Sequence, residues 1–138
     1  MILVDTSVLI DYLKGKENEK SVLFQKILDY KLVYGISSIV FLEVLQGTKT
    51  EEEYRIVKEY LESLRFYELK NNRDSYEKAA RMSFLCSRAG VTVRSTIDLI
   101  ISRIAIENEL MLLHNDSDFD AIASVIPELH VCTVLDFG

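Results

Sequence analysis

Short runs of consecutive apolar residues alternate along the chain with longer stretches in which apolar positions recur every three or four residues. The first run, Ile2-Leu3-Val4, has the character of a strand buried on both faces, and Asp5-Thr6-Ser7 closes it with residue types that cap a following helix. Helical spacing then covers about 7–14 and 18–30, with Gly15 between them. Residues 32–36 read as a second strand, after which Ser37 or Ser38 caps a helix ending near Gly47. Thr50 followed by Glu51, Glu52 and Glu53 opens a charged helix to about residue 64, with its acids in the first turn, where the helix dipole favours them. Residues 65–70 suit an edge strand, and a long helix that starts at Asn72 or Asp74 stops at Gly90. Ser95 caps a helix to about Glu109; residues 111–113 then form a buried strand, 116–125 a short helix and 129–134 a last strand. Short strands, apolar on both faces and alternating with helices, predict an α/β fold in which helices cover a parallel sheet.

No repeat, linker or low-complexity tract interrupts this pattern, so residues 1–138 are expected to make one domain around one core. A hydrophobic fraction of 49% with only 5 Gly and 1 Pro agrees with a helix-rich folded chain. Cys86 and Cys132 stand far apart in apolar surroundings and read as buried free thiols, which suit a reducing compartment. Asp5 breaks the first apolar run and no basic stretch precedes it, so no signal peptide is expected. Nor does any run reach the roughly 18 apolar residues of a membrane span. A cytoplasmic protein with no membrane contact is the expectation. The net charge of −6 opposes non-specific nucleic-acid binding, which usually rests on a basic footprint.

Charge is most informative where it interrupts an apolar run. In Ser38-Ile39-Val40-Phe41-Leu42-Glu43-Val44-Leu45 the single charge is Glu43, and a helix so apolar should be buried nearly all round, with Glu43 facing the interior or a cleft. Asp98 in Thr96-Ile97-Asp98-Leu99-Ile100-Ile101 is placed in the same way. A buried carboxylate must be paired, protonated or bound to metal. Each has a plain structural explanation as well: Asp98 can serve a capping box with Ser95, and Glu43 can pair with a distant Arg or Lys. Asp5 ends the first strand, and Asp116 and Asp118 follow a later one, so the sheet can gather them where sites form in open α/β folds. Their structural alternatives are N-cap and first-turn roles. Asp11, on the first helix, reads as a solvated charge. Four or five acids at one edge repel each other, and a hard divalent cation such as Mg²⁺ or Mn²⁺ relieves that repulsion. The chemistry that fits is metal-assisted phosphodiester hydrolysis.

Four blocks carry a family resemblance. Val4-Asp5-Thr6-Ser7-Val8-Leu9-Ile10-Asp11 resembles the start of VapC-type PIN domains, and Ser37-Ser38-Ile39…Glu43-Val44-Leu45-Gln46-Gly47 their second block. Asp98-Leu99-Ile100-Ile101 is similar to the third, and His114-Asn115-Asp116-Ser117-Asp118-Phe119-Asp120-Ala121-Ile122-Ala123 to the fourth. Each block alone is weak; four in order along the whole chain are specific. The resemblance implies a three-layer α/β/α sandwich with a five-stranded parallel sheet, and a Mg²⁺-dependent endoribonuclease that is the toxin of a toxin–antitoxin pair. Carried over residue by residue, Asp5, Glu43, Asp98 and Asp116 would be the catalytic acids. Asp5, Asp98, Asp116 and Asp118 would be the metal ligands, with Glu43 acting through water. Thr6 would orient Asp5 or the attacking water. The same resemblance implies an RNA substrate, a cognate antitoxin that inserts a basic segment into the acidic cleft, and a homodimer. Two departures stand out: many relatives carry Thr in place of His114, and some carry Pro in place of Thr96. Arg94, close to Asp98, is the preferred contact for an RNA phosphate, beside its alternative as a surface or ion-pairing Arg.

Other acid-bearing α/β proteins fit less well. A phosphoacceptor receiver domain needs a Lys at the end of a late strand, and residues 129–135 hold none. A haloacid-dehalogenase phosphatase needs Asp-x-Asp after the first strand, and a serine hydrolase needs Gly-x-Ser-x-Gly; neither occurs. His114 and His130 lack zinc-ligand companions and read as core or surface residues. A PIN-like domain that binds RNA or protein without cutting is the remaining alternative.

Overall fold

Three consecutive apolar residues with no exposed face make β1 (Ile2–Val4) an interior strand, and it sits in the interior of the sheet. In the computed structural model, which describes residues 1–133, the chain continues through α1 (Thr6–Leu13), α2 (Glu19–Asp29) and β2 (Tyr34–Ile36). It then forms α3 (Ser38–Gln46), α4 (Glu51–Glu62), β3 (Arg65–Phe66), α5 (Asn72–Arg88), α6 (Thr96–Glu107), β4 (Met111–Leu113) and α7 (Ser117–Val125). The sheet order is β3-β2-β1-β4, and every pairing is parallel, with Leu3 opposite Gly35 on one side and Leu112 on the other.

Four strands are formed among the described residues, where the resemblance implies five. The shortfall falls on the last expected strand. Of residues 129–133 only Val131 pairs, in parallel with Leu112, through Leu112 N–H to the His130 carbonyl and Cys132 N–H to the Leu112 carbonyl, both 2.8 Å. Residue 134 lies outside the described residues. The bridge marks a fifth position on the open side of β4. Two other expected strands are shorter than their apolar pattern. Lys31 takes a left-handed φ of 54° and Leu32 N–H bonds back to the Ile27 carbonyl, so β2 starts only at Tyr34. β3 ends at Phe66 because the chain beyond it turns towards α6, where Lys70 N–H meets the Glu107 carboxylate at 2.8 Å.

Crossovers explain the layers. Moving from β1 to β2 and β3, right-handed connections put α1–α4 on one face; returning across the sheet to β4, they put α5–α7 on the other. The packing agrees: α1 meets α2 and α3, α3 meets α4, and α5, α6 and α7 meet one another. The core between them is continuous, with Phe24, Ile27 and Leu61 from the first group and Met82, Ile101 and Phe119 from the second, all under 5% exposed. Cys86 and Cys132 are buried, as expected, and burial pushes both thiols up from their usual pKa. No helix among the described residues is long and apolar enough to cross a membrane.

Caps follow the sequence closely. Asp5, Asn18, Ser37, Thr50 and Asp116 each accept a backbone N–H in the first turn of their helix. α5 closes in a Schellman turn, with Gly90 at φ 80°, its N–H on the Ser87 carbonyl and Val91 N–H on that of Cys86. Gly35 is required for a different reason. A Cβ there would lie 2.6 Å from the Arg65 carbonyl oxygen and 2.6 Å from the Tyr67 ring. Gly35→Ala must push β3 away from β2, and is expected to destabilise the protein by about 2 kcal/mol in urea unfolding. An unchanged unfolding midpoint would show that the strand edge yields freely.

Candidate metal centre

The chain leaves β1 towards β2 on one side of the sheet and arrives at β4 on the other, so the order reverses between β1 and β4. Open α/β sheets form their crevice at the carboxyl ends of strands at such a point. Asp5 follows the last residue of β1 directly, and the turn 114–116 follows β4; Asp5 N–H on the Leu113 carbonyl, at 2.9 Å, stitches the two ends together. α3 and α6 bring Glu43 and Asp98 to the same place.

Three carboxylates, from Asp98, Asp116 and Asp118, offer oxygens that all lie within 4.8 Å of one another. Asp98 is 9% exposed and Asp5 5%, so both are largely removed from water. Burial pushes the Asp98 carboxyl up to about 7, helped by repulsion from Asp116, Asp5, Asp118 and Glu43 in that order. Asp5 is also pushed up, first by burial and last by Glu43, against the lowering effect of hydrogen bonds from Ser7 and Thr6. One group that feels four other acids describes a single negative centre. The expected residues, Asp5, Glu43, Asp98, Asp116 and Asp118, are therefore brought together.

The plain structural explanations divide. Ser95 makes no side-chain cap bond, so the capping box that would account for Asp98 is not formed. Glu43 has no Lys or Arg within ion-pair distance among the described residues; its Oε1 accepts the Thr6 hydroxyl at 2.7 Å. Asp5 and Asp116, by contrast, are N-caps as well as members of the centre. The two roles agree, because the positive ends of α1 and α7 favour anions there. Asp116 Oδ1 accepts Asp118 N–H at 3.0 Å, which leaves Oδ2 for a cation.

Several expectations change. The helix carrying Glu43 is not buried all round: Leu42 is 54% exposed, and Glu43 itself is half-buried at the rim. The Thr6 hydroxyl goes to Glu43, while its backbone N–H serves Asp5. Asp5 is held by Ser7, whose N–H (3.1 Å) and hydroxyl (2.6 Å) both donate to Oδ2, while Ser7 Oγ accepts Asn115 N–H at 2.9 Å. The sequence signal for Ser7 was its place two residues after an N-cap Asp, where a hydroxyl reaches back to the cap. Asp11 is not a free solvated charge either. It accepts from Asn18 at 3.0 Å and from Asn115 at 3.3 Å, tying α1 to the β4–α7 turn. Arg94 lies 3.9 Å from Asp118 with its side chain 81% exposed, a loose contact that leaves it open to solvent. His130 is on the surface, whereas His114 is 2% exposed, and burial holds its pKa below the usual value.

A hard divalent cation fits this donor set. All candidate ligands are carboxylate oxygens, with no sulfur and no neutral imidazole in the triad, and an octahedral ion at about 2.1 Å from its ligands needs oxygens about 3–4 Å apart. The Asp98, Asp116 and Asp118 oxygens lie within 4.8 Å of one another, and a cation between them would relieve the repulsion among these acids.

Comparison with known proteins points the same way. The model of the PIN domain family matches residues 2–125. A VapC ribonuclease of Mycobacterium bovis and ribonuclease VapC11 of Mycobacterium tuberculosis are each 27% identical over 126 residues, covering 91% of this chain and 93% of theirs. Among solved structures, VapBC2 from Rickettsia felis, bound to a DNA fragment from its promoter, superposes with a TM-score of 0.70 at 19% identity, over 95% of this chain and 97% of that one. A toxin–antitoxin complex from Klebsiella pneumoniae gives 0.69 at 18% identity, over 98% and 100%.

Proposed function

Since the chain belongs to the PIN domain family, we propose that it is a metal-dependent endoribonuclease and the toxin of a toxin–antitoxin pair. The observation that carries this reading is the acidic centre at the carboxyl ends of β1 and β4, where five acids meet and, among the described residues, only the exposed Arg94 makes an ion pair with one of them. Relatives that share its length are VapC ribonucleases, and its structural neighbours include toxin–antitoxin complexes.

Asp5, Asp98 and Asp116, with Asp118, would hold Mg²⁺ or Mn²⁺, which supplies a polarised phosphoryl oxygen and an activated water when bound. The chain's own residues prepare the rest. Ser7 fixes the Asp5 carboxylate, and Thr6 fixes Glu43 through Oε1, leaving Oε2 to orient a water for attack on phosphorus. Arg94, 3.9 Å from Asp118 and largely in solvent, would meet an RNA phosphate. This layout also answers the objection raised by net charge, since a good part of the negative charge belongs to the centre itself and a bound divalent ion reverses the local field.

The antitoxin surface we assign lies on α3 and α4. Leu42 and Ile56 are more than half exposed, Tyr54 42% exposed, and Phe41 stacks edge-on against exposed Phe66 at 5.7 Å. Apolar area of this kind on a small cytoplasmic protein suits a helical partner, whose basic segment would reach the acids, and a homodimer. The deciding experiment uses purified toxin freed of partner and a single-stranded RNA. Cleavage is expected with Mg²⁺ or Mn²⁺, should stop with EDTA, and should return when excess metal is restored. Cleavage that continues unchanged in EDTA would refute the mechanism.

A further inference from the structure

We propose that His114 is a positioning residue of the acidic centre: its Nδ1, acting as an acceptor, fixes the turn from which Asp116 and Asp118 are presented. The proposal rests on the metal-centre reading above for its consequence, and on the geometry of the turn for itself.

An imidazole buried in an apolar core needs a reason, because an unpartnered polar group there is costly. Here one nitrogen bonds to backbone inside the turn and the other meets only an exposed carboxylate. Nδ1 accepts the backbone N–H of Asp116 at 3.1 Å. An accepting nitrogen carries no proton, so the proton of the neutral ring is on Nε2. That nitrogen faces only Oδ1 of the exposed Asp120, in a loose contact at 3.2 Å. The Nδ1 side is therefore the side with a defined task. The ring is held for that task by Phe119, fully buried in α7, whose centroid lies 5.0 Å away at a 43° tilt.

Of the four N–H groups at the entry to α7 that fall outside the helical ladder, three are held as follows. Those of Asp118 and Phe119 are taken by Asp116 itself, through its Oδ1 at 3.0 Å and its carbonyl at 3.1 Å. The third, that of Asp116, is taken by His114. This bond ties the cap back to the residue that follows β4, so it sets the direction of the Asp116 backbone. Through the cap bond it also sets which carboxylate oxygen faces Asp98. Ser7 pins the neighbouring Asn115 in the same turn, so two consecutive backbone N–H groups are fixed from opposite sides. An apolar residue of similar size would fill the space of His114 and still lose the turn.

Isosteres separate the acceptor from the bulk. Asn places its amide oxygen near the position of Nδ1, Gln places a polar atom near that of Nε2, and Leu offers neither. The full-length chain, freed of metal, is compared as wild type, His114→Asn, His114→Gln and His114→Leu. Amide hydrogen exchange of Asp116 in EDTA reads the bond, and calorimetric titration with Mn²⁺ reads its consequence. His114→Asn is expected to keep Asp116 protected and to bind Mn²⁺ within about threefold of wild type, whereas Gln and Leu lose the protection and weaken Mn²⁺ by about 10–100-fold. Unchanged protection of β4 and α6 amides identifies the effect as local. The proposal is overturned if Gln or Leu retains Asp116 protection and wild-type Mn²⁺ affinity, or if Asn does no better than Gln. Should Leu fail to fold, the Asn–Gln contrast decides alone. A wild-type protein that takes up no Mn²⁺ overturns the metal reading instead, and Asp116 exchange still decides the role of His114.

Discussion

Asp98→Asn is expected to raise the melting temperature of the metal-free protein by roughly 5 °C at pH 8 while reducing RNA cleavage by about 100-fold or more. The two effects share a cause. In the native protein Asp98 keeps its proton up to about pH 7, because it is buried and faces four other acids; the unfolded chain releases it near 3.8. Between those values the unfolded state binds fewer protons than the native one, so stability falls as pH rises. Below about pH 4 both states are protonated and the penalty disappears; above 7 it is complete. Asn, nearly the same shape, never ionises and should remove this pH-dependent loss. Melting curves in EDTA from pH 4 to 8 test it: the wild type should soften across the window and the variant should not. A variant that melts below wild type throughout would make Asp98 a structural hydrogen-bonding group rather than a frustrated ligand.

Glu43→Gln should separate function from stability in a second way. Gln keeps an oxygen for the Thr6 hydroxyl, so the 2.7 Å bond survives, while the negative charge that raises both Asp5 and Asp98 is lost. In EDTA the variant is expected to melt at or slightly above wild type. Cleavage should fall by about 10–100-fold, as for groups that act next to a metal. Added Mg²⁺ should stabilise the wild type more than the variant, since ligand binding to the native state adds to its stability and Gln weakens that binding. Four melts, wild type and variant with EDTA or Mg²⁺, suffice. If Glu43→Gln melts several degrees below wild type in EDTA, Glu43 is holding the fold and leaves the list of catalytic acids.

The sequence was informative wherever one local rule decided the outcome. Ile2-Leu3-Val4 could only be an interior strand, and the caps at Ser37, Thr50 and Asp116 follow from residue type and spacing alone. The acids were legible for the same reason: a charge inside an apolar run, or at the end of a buried strand, has few places to go. What the pattern could not give was the partner of each hydroxyl. Thr6 and Ser7 are adjacent and chemically alike, yet one reaches across to α3 and the other back to Asp5, a division set by the direction in which α1 leaves the sheet. Glu43 shows the limit of an all-apolar helix as a sign of burial, because Leu42 beside it faces solvent. Asp11 was misread because its partners, Asn18 and Asn115, are brought to it by a loop and by the far end of the chain. Strand lengths failed where side-chain pattern says nothing of backbone pairing: residues 67–70 look extended in sequence but turn away to meet Glu107.

The pairing of β1 with β4 also governs when the acidic centre can assemble as the chain is made. β1 is synthesised long before its partner on one side, which begins at Met111, and the turn carrying Asp116 and Asp118 comes later still. Contacts this distant in sequence form late, after a long loop has been closed. A chain still emerging from the ribosome, or one cut short before residue 111, contains Asp5, Glu43 and Asp98 but no β4 to align them. Translation order thus delays the centre: its carboxylates can come together only after β4 and the turn behind it have been made.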